Sequence, residues 1–190
     1  MLDPYIIYSV GKNKSILDVA CGKGKWGFLI GTSYQSPRII IGVDIWLPYL
    51  KHAKYHRIYD DVVLCDAKYL PFRSFSFDVT LACEVLEHIP KNLGIVLLKE
   101  AERVSREKVI ISTPHQWLDQ RDDISFQEHK SRWKPDDLRK KGYRVHGVGF
   151  SFLGRFSPLK LRVALSPLAY YFPNFAFLLL ASKSLRRRKN

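Results

Sequence analysis

The sequence is poor in cysteine and lacks any long apolar run. Its three cysteines, at positions 21, 65 and 83, are too few and too scattered for a disulfide framework. They form no Cys-x-x-Cys pair, which excludes a zinc site of that type. We therefore expect a folded protein of the reducing cytoplasm.

Features of secretion and of membrane insertion are also missing. An acidic residue at position 3 and the lack of a basic region distinguish the start of the chain from a signal peptide. The longest clean apolar run, Phe175 to Ala181, is much shorter than the roughly 20 residues that a membrane span requires. We expect neither export nor a transmembrane segment.

Acidic residues are few beside basic ones, 18 against 31, and the formal net charge is +13. Such a charge attracts nucleic acid, anionic lipid or acidic substrates. Part of it lies in a predicted solvated tail, residues 183–190, which contains Lys183, Arg186, Arg187, Arg188 and Lys189. The sequence contains no aromatic and basic motif of an RNA-recognition module, so nucleic-acid binding is left open.

Short β-branched runs alternate with amphipathic segments, which predicts a parallel sheet covered by helices on both faces. Five near-continuous apolar runs predict strands buried on both faces, at 15–20, 38–45, 61–67, 77–86 and 108–113. Two later strands are predicted at 143–150 and 174–182. Helices are predicted after Lys25, around an apolar stripe from Leu93 to Val104, and over 135–141. The expected architecture is an α/β three-layer sandwich.

The first predicted strand ends in a glycine turn, where Gly22 and Gly24 allow the backbone to bend and to approach a ligand. Asp44 ends the second strand about 20 residues later, where a carboxylate can bind both hydroxyls of a ribose. Gly27 completes a dinucleotide-type spacing, so the spacing alone leaves NAD open. Asp66, at the end of the third strand, favours another ligand whose adenine amino group lies beyond that strand.

Four segments in order, ILDVACGKGKWGFL, IIGVDI, LCDAKYLPF and FDVTLACEVLEHIP, resemble the motifs of the class I S-adenosylmethionine-dependent methyltransferases. The resemblance is greatest to the broad group of ubiquinone-type and small-molecule methyltransferases. It covers residues 15–182 and implies S-adenosylmethionine as cofactor. It also implies one Rossmann-like domain over 1–190, with a mostly parallel seven-stranded sheet and an antiparallel last strand.

The resemblance implies roles around the methionine part of the cofactor. Gly22 and Gly24 would let the backbone run beside it, and Asp18 would help to hold its ammonium group. Cys83 would offer its backbone to the same end of the cofactor. Ala20 stands where many members of the family have glycine.

For the adenosine part, the resemblance assigns Asp44 to the ribose and Ile45 to packing on the adenine. Asp66 would accept a hydrogen bond from the adenine amino group, and the Ala67 amide would meet a ring nitrogen. The alternative for Asp44 and Asp66 is that they cap helices or turns.

An ionisable cluster just past the fourth predicted strand contains candidate catalytic residues. Methyl transfer from a sulfonium requires a positioned nucleophile, and a base where that nucleophile loses a proton. Glu84 and His88 lie at the carboxyl edge of the sheet, and His129 follows the fifth strand. We predict these three as catalytic, with His115 a weaker candidate, whereas Glu87 and His88 could instead satisfy one another.

The same cluster also resembles the metal-dependent small-RNA 3′-terminal 2′-O-methyltransferases. That resemblance implies that Glu84, Glu87, His88 and His129 together hold Mg²⁺ or Mn²⁺. EVLEH also occurs in metal-free relatives, so the use of a metal is left open.

Residues 114–134 and the apolar, aromatic insert 151–174 are expected to cover the acceptor side. The insert predicts a helix beside the sheet edge, with peripheral membrane or partner contact as the alternative. We expect a small-molecule or lipid-like acceptor. The alternatives are an RNA or protein acceptor attracted by positive charge, and cofactor binding without catalysis.

Overall fold

The computed structural model describes residues 2–115, 128–150 and 165–185. In this part of the chain, strands β1 to β7 are Ser15–Val19, Ile39–Asp44, Asp61–Leu64, Phe77–Cys83, Ser105–Pro114, Arg144–Phe150 and Ala176–Ser184. Helices α1 to α6 are Asp3–Val10, Lys25–Gly31, Leu47–Tyr55, Lys91–Val104, Pro135–Arg139 and Ser166–Tyr171. Two 3₁₀ turns cover Leu86–His88 and Pro173–Phe175.

The seven strands are hydrogen-bonded in the order β3-β2-β1-β4-β5-β7-β6. β1 pairs in parallel with β2 and β4, and β2 pairs in parallel with β3. β6 and β7 are antiparallel. These pairings, with helices between the strands, confirm the predicted α/β fold, a mostly parallel seven-stranded sheet with an antiparallel last strand.

Backbone contacts divide the chain into two compact units. The first, called the N-terminal unit here, contains Asp3–Cys83 and Asn92–Ile110. The second, the C-terminal unit, contains Glu84–Lys91 and the described residues of Ile111–Lys183. The expectation of a single domain over 1–190 stays a prediction.

β1 and β4 form the centre of the N-terminal unit, and every residue in both strands is buried. From β1 the chain adds β2 and then β3 on one side of the sheet. It then returns and adds β4 on the other side of β1, so the direction of strand addition reverses between β1 and β4. Such a reversal opens a crevice at the carboxyl ends of the strands, which is the usual ligand position in open parallel sheets. The N-terminal unit therefore places Asp18 and Asp44 where a ligand binds in folds of this type.

Three expectations about the strands were wrong in detail. β3 is not buried on both faces, because it is the edge strand and its residues are exposed or half-buried. It ends at Leu64 rather than at position 67. The strand predicted over 77–86 ends at Cys83, because Glu84 has a φ of 55°, which takes the chain out of the extended conformation.

The predicted basic tail begins later than expected. Lys183 belongs to β7, and its ammonium group lies 5.4 Å from the centre of the Tyr143 ring. Leu185 donates a backbone hydrogen bond to Glu107. The four remaining basic residues of the tail lie outside the described residues, as does most of the insert 151–174. No helix among the described residues has the length and apolarity needed to cross a bilayer.

Asp78 organises the amino ends of β1 and β4 within the N-terminal unit. Its carboxylate accepts hydrogen bonds from the backbone amide and the hydroxyl of Ser15, at 3.0 and 2.9 Å. It also pairs with Arg38 and Arg106, each at 3.0 Å. One buried acid thus satisfies a strand amide, a hydroxyl and two guanidinium groups.

We expect Asp78→Ala to lower the free energy of unfolding by about 3 kcal/mol, because it leaves a buried amide and hydroxyl without their acceptor. Urea denaturation measures this change. Asp136→Ala is the matched control, since it breaks only an exposed pair with Arg139 and should cost less than about 0.5 kcal/mol. Equal effects of the two substitutions would contradict the role given to Asp78.

Candidate functional site

The loop that follows β1 has the backbone expected of a ligand-binding turn. Ala20, Gly22 and Gly24 all have positive φ values, of 56°, 56° and 98°. α2 begins directly afterwards, with Gly24 as its N-cap. The left-handed conformation is unfavourable for a residue with a Cβ, so Ala20 is locally strained at the position where relatives often have glycine.

Asp18, the fourth residue of β1, lies just before this turn and its side chain is buried. Its Oδ2 accepts a hydrogen bond of 2.6 Å from the Tyr59 hydroxyl. Its Oδ1 is buried and has no hydrogen-bond partner among the described residues. Burial raises the pKa of Asp18 to about 7, the hydrogen bond from Tyr59 opposes the rise, and the charge of Asp44 adds to it. A buried carboxylate oxygen without a partner suits a cationic ligand group.

Asp44 ends β2 beside the same turn. Its Oδ2 accepts the Gly22 amide and its Oδ1 accepts the Trp46 amide, both at 2.8 Å. These two bonds orient the carboxylate and tie the glycine turn to β2. Both oxygens retain lone pairs for further donors, so the arrangement is compatible with the predicted ribose contact.

The predicted adenine contacts lie on neighbouring chain segments. Ile45 follows β2 and is 49% exposed, and Leu64, at the end of β3, is 54% exposed. Asp66 accepts a hydrogen bond from the Lys68 amide and pairs with the Lys68 ammonium at 3.2 Å, as in the turn-acid alternative. Ala67 is half-buried in this turn. Their contacts with adenine stay predictions.

A second cluster of ionisable residues lies in the C-terminal unit. Ser112 donates a hydrogen bond of 2.5 Å to the Glu84 carboxylate, and Thr113 donates one of 2.9 Å to Glu87. Glu87 is buried, and its burial together with the negative charge of Glu84 raises its pKa to about 8. Cys83, the last residue of β4, directly precedes this cluster in the chain.

Two histidines complete the cluster. The His88 and His129 rings meet edge to face with centroids 5.1 Å apart, and His88 Nε2 lies 3.8 Å from Glu87 Oε1. One ligand atom each from Glu87, His88 and His129 lie within 4.8 Å of one another. The structure therefore brings together three of the four side chains of the metal hypothesis, and Glu84 approaches Glu87 closely enough to raise its pKa.

The segment that carries His129 is held to the 3₁₀ turn by contacts that the sequence did not predict. The Glu87 carbonyl accepts the backbone amides of Lys130 and Ser131, at 2.6 and 3.0 Å. The Leu86 carbonyl accepts the Ser131 hydroxyl and the indole N–H of Trp133, whose ring is fully buried. These bonds place His129 beside His88.

His115, the weaker candidate, does not join the cluster of Glu87, His88 and His129. Its Nδ1 is buried without a hydrogen-bond partner among the described residues, and burial lowers its pKa. Tyr59, Ser112, Thr113 and Trp133 were not predicted from the sequence. The STP sequence at the carboxyl end of β5 is the one available signal, since hydroxyl residues at a carboxyl strand end face the ligand edge.

Comparison with known proteins agrees with this arrangement. Residues 17–112 match a family model described as a methyltransferase domain. The demethylmenaquinone methyltransferase of Lactiplantibacillus plantarum is 31% identical over 87 residues, which are 43% of this chain and 37% of that enzyme. The match thus spans little more than a third of this relative's length.

Solved structures show the same fold. A SAM-dependent methyltransferase from Archaeoglobus fulgidus has a TM-score of 0.66 at 18% identity, over 97% of this chain and 91% of that one. The small RNA methyltransferase HEN1 has a TM-score of 0.70 at 18% identity, over 100% of this chain and 25% of that one. These likenesses confirm the Rossmann-like fold expected from the sequence.

The buried carboxyl of Asp18 predicts a dependence of stability on pH. Its folded-state pKa of about 7 lies above its ordinary value of 3.8, so the folded protein holds this proton more tightly than the unfolded chain. Stability from this group is complete below pH 3.8 and is lost as pH rises toward 7, by up to about 1.4 kcal/mol per pH unit.

We expect Asp18→Asn to flatten this fall in the cofactor-free protein, as measured by urea denaturation from pH 4 to pH 8. Asp136→Asn, at an exposed site, should leave the slope unchanged. A fall of the same size in Asp18→Asn would show that other groups cause it.

Proposed function

Because the chain belongs to the class I S-adenosylmethionine-dependent methyltransferases, we propose that it binds S-adenosylmethionine and transfers the methyl group to an acceptor. The observation that supports this most is that Asp18 Oδ1 is buried without a hydrogen-bond partner among the described residues. It lies close in the chain to the left-handed glycine turn, where the Gly22 amide donates to Asp44. A cationic amino acid end and a ribose would satisfy both acids in one ligand.

In this proposal the N-terminal unit holds the cofactor. Asp18 accepts the ammonium group, and Asp44 accepts the ribose hydroxyls while its bonds to Gly22 and Trp46 keep it oriented. Ile45 supplies an apolar surface for the adenine, and the turn after Asp66 supplies polar contacts for its edge. Gly22 and Gly24 adopt positive φ values without strain, so the backbone can turn beside the ligand.

S-adenosylmethionine, when bound, would supply a methyl group carried on a sulfonium. In-line attack by an acceptor atom on this methyl carbon would break its bond to sulfur, and the sulfur would leave as a neutral thioether. An acceptor atom that loses a proton in this reaction also requires a base. Glu84 and His88 are candidate bases, and the Ser112 hydroxyl orients the Glu84 carboxylate. We propose a small-molecule or lipid-like acceptor, which is the acceptor class expected from the sequence.

A second candidate is favoured by one specific observation, the 4.8 Å grouping of Glu87, His88 and His129. A carboxylate with two imidazoles is a donor set that suits Mn²⁺ and, with Glu84 added, Mg²⁺. The raised pKa of Glu87 beside Glu84 also fits, because a divalent cation would stabilise both ionised carboxylates.

These four residues would hold the ion, which would draw the proton from a bound hydroxyl by lowering its pKa. The acceptor would then be a terminal diol such as the ribose at an RNA 3′ end. One protein of the same fold, HEN1, is a small RNA methyltransferase.

We expect Asp44→Ala to weaken binding of S-adenosylmethionine and S-adenosylhomocysteine about tenfold or more in calorimetry, because charge-assisted ribose hydrogen bonds are lost. Asp61→Ala, on the exposed edge strand β3, is the matched control and should leave both affinities unchanged. If the wild-type protein binds neither ligand at millimolar concentration, or binds NAD more tightly, the proposed function is contradicted.

Direct metal binding distinguishes the two candidates. We expect Mn²⁺ to bind the wild-type protein, and His129→Ala and Glu87→Gln to weaken it at least tenfold, as followed by electron paramagnetic resonance. His52→Ala, on the surface of α3, is the control histidine. Failure of Mn²⁺ to bind at millimolar concentration, with turnover insensitive to chelator, would leave the metal-free candidate.

A further inference from the structure

Tyr59 is a buried side chain that no sequence motif pointed to. It lies in the short connection between α3 and β3, and its ring is 8% exposed. Its hydroxyl donates the 2.6 Å hydrogen bond to Asp18, and the Gly27 backbone amide faces the same oxygen. The phenol proton is therefore directed to Asp18.

Three glycines make room for this connection. A Cβ at Gly27 would lie 2.3 Å from the Tyr59 ring, and one at Gly42 would lie 2.9 Å from it. A Cβ at Gly24 would lie 2.7 Å from Ile58. Gly24 and Gly27 belong to the dinucleotide-type spacing. Because they have no side chain, they leave room for the side chains of Ile58 and Tyr59.

The connection is also fixed to β2 on its other side. Asp60 Oδ2 accepts the Ile40 amide at 2.7 Å, and the Asp60 amide donates to the Ile40 carbonyl at 3.0 Å. The ring of Tyr59 is therefore confined by α2, by β2 and by its own backbone. This packing holds the Tyr59 hydroxyl beside Asp18.

We propose that Tyr59 is a positioning residue for the cofactor: its hydroxyl occupies one Asp18 oxygen and leaves the other directed to the cofactor ammonium group. The inference rests on the proposed function. Without the hydroxyl, the Asp18 carboxyl would be free to rotate about χ2 and would lose its one hydrogen bond among the described residues.

The charges around Asp18 give this role a signature that packing alone would not. The groups facing it are Asp44, the Cys21 thiol and the Tyr59 hydroxyl, and the hydrogen bond from Tyr59 is the one that favours the ionised form. Its removal raises the pKa of Asp18 further. Since only the ionised carboxylate attracts the ammonium group, cofactor affinity should fall off at a higher pH in Tyr59→Phe than in the wild type.

The test compares Tyr59→Phe with Tyr55→Phe, an exposed tyrosine nearby in the chain, in calorimetry with two probes. We expect Tyr59→Phe to weaken S-adenosylhomocysteine about tenfold, the size of one lost hydrogen bond to a charged group. It should leave 5′-methylthioadenosine, which lacks the amino acid end, unchanged. Equal weakening of both probes would indicate a purely structural role and would overturn the inference.

A double substitution separates the remaining outcomes. If Tyr59 acts through Asp18, adding Tyr59→Phe to Asp18→Asn should cause no further loss of affinity. A further tenfold loss would overturn the inference while leaving the cofactor assignment in place. Wild-type protein that binds neither probe would instead overturn the proposed function itself. Thermal denaturation of each variant identifies any that fail to fold.

Discussion

The buried carboxylate of Asp18 is the constraint around which the N-terminal unit is arranged. A carboxylate this deep in a protein is unfavourable unless it is hydrogen-bonded, yet only one of its oxygens has a partner in the described chain. Gly27 and Gly42 admit the Tyr59 ring that supplies this partner, and Asp60 fixes the loop that carries it. The remaining oxygen, Oδ1, is buried without a hydrogen bond in the described chain, which lowers the stability of the protein.

The acids of this protein fall into two kinds that their partners distinguish. Burial opposes ionisation of Asp78, but hydrogen bonds from the Ser15 amide and hydroxyl and from Arg106 lower its pKa, and it also pairs with Arg38. The hydrogen bond from Arg103 likewise lowers the pKa of Glu100. Burial raises the pKa values of Asp18 and Glu87, and the hydrogen bonds that they accept from the hydroxyls of Tyr59 and Thr113 only partly oppose this rise. A hydroxyl orients a carboxylate without cancelling its charge, which is what a site for a cationic ligand requires.

Local patterns in the sequence were sufficient for the strands and for the glycine turn, because apolar runs and glycine spacing are properties of neighbouring residues. Strand ends were predicted less well, since the positive φ of Glu84 has no signature in a glutamate. Tyr59 and Trp133 could not be predicted, because each acts through a contact with a segment distant in the chain. The four motifs predicted which acids contact the cofactor, and the tertiary contacts show how those acids are oriented.

The high net positive charge gives meaning to the kind of partner that Asp18 and Glu87 have. With 31 lysines and arginines against 18 acids, a basic partner for every carboxylate was available in the composition. Neither Asp18 nor Glu87 pairs with a lysine or an arginine in the part of the chain that the structure describes. Basic residues beside them would stabilise the ligand-free protein and would compete with a sulfonium amino acid or a divalent cation. When ionised, Asp18 and Glu87 therefore create local negative potential within a strongly basic protein, whatever the overall charge attracts at longer range.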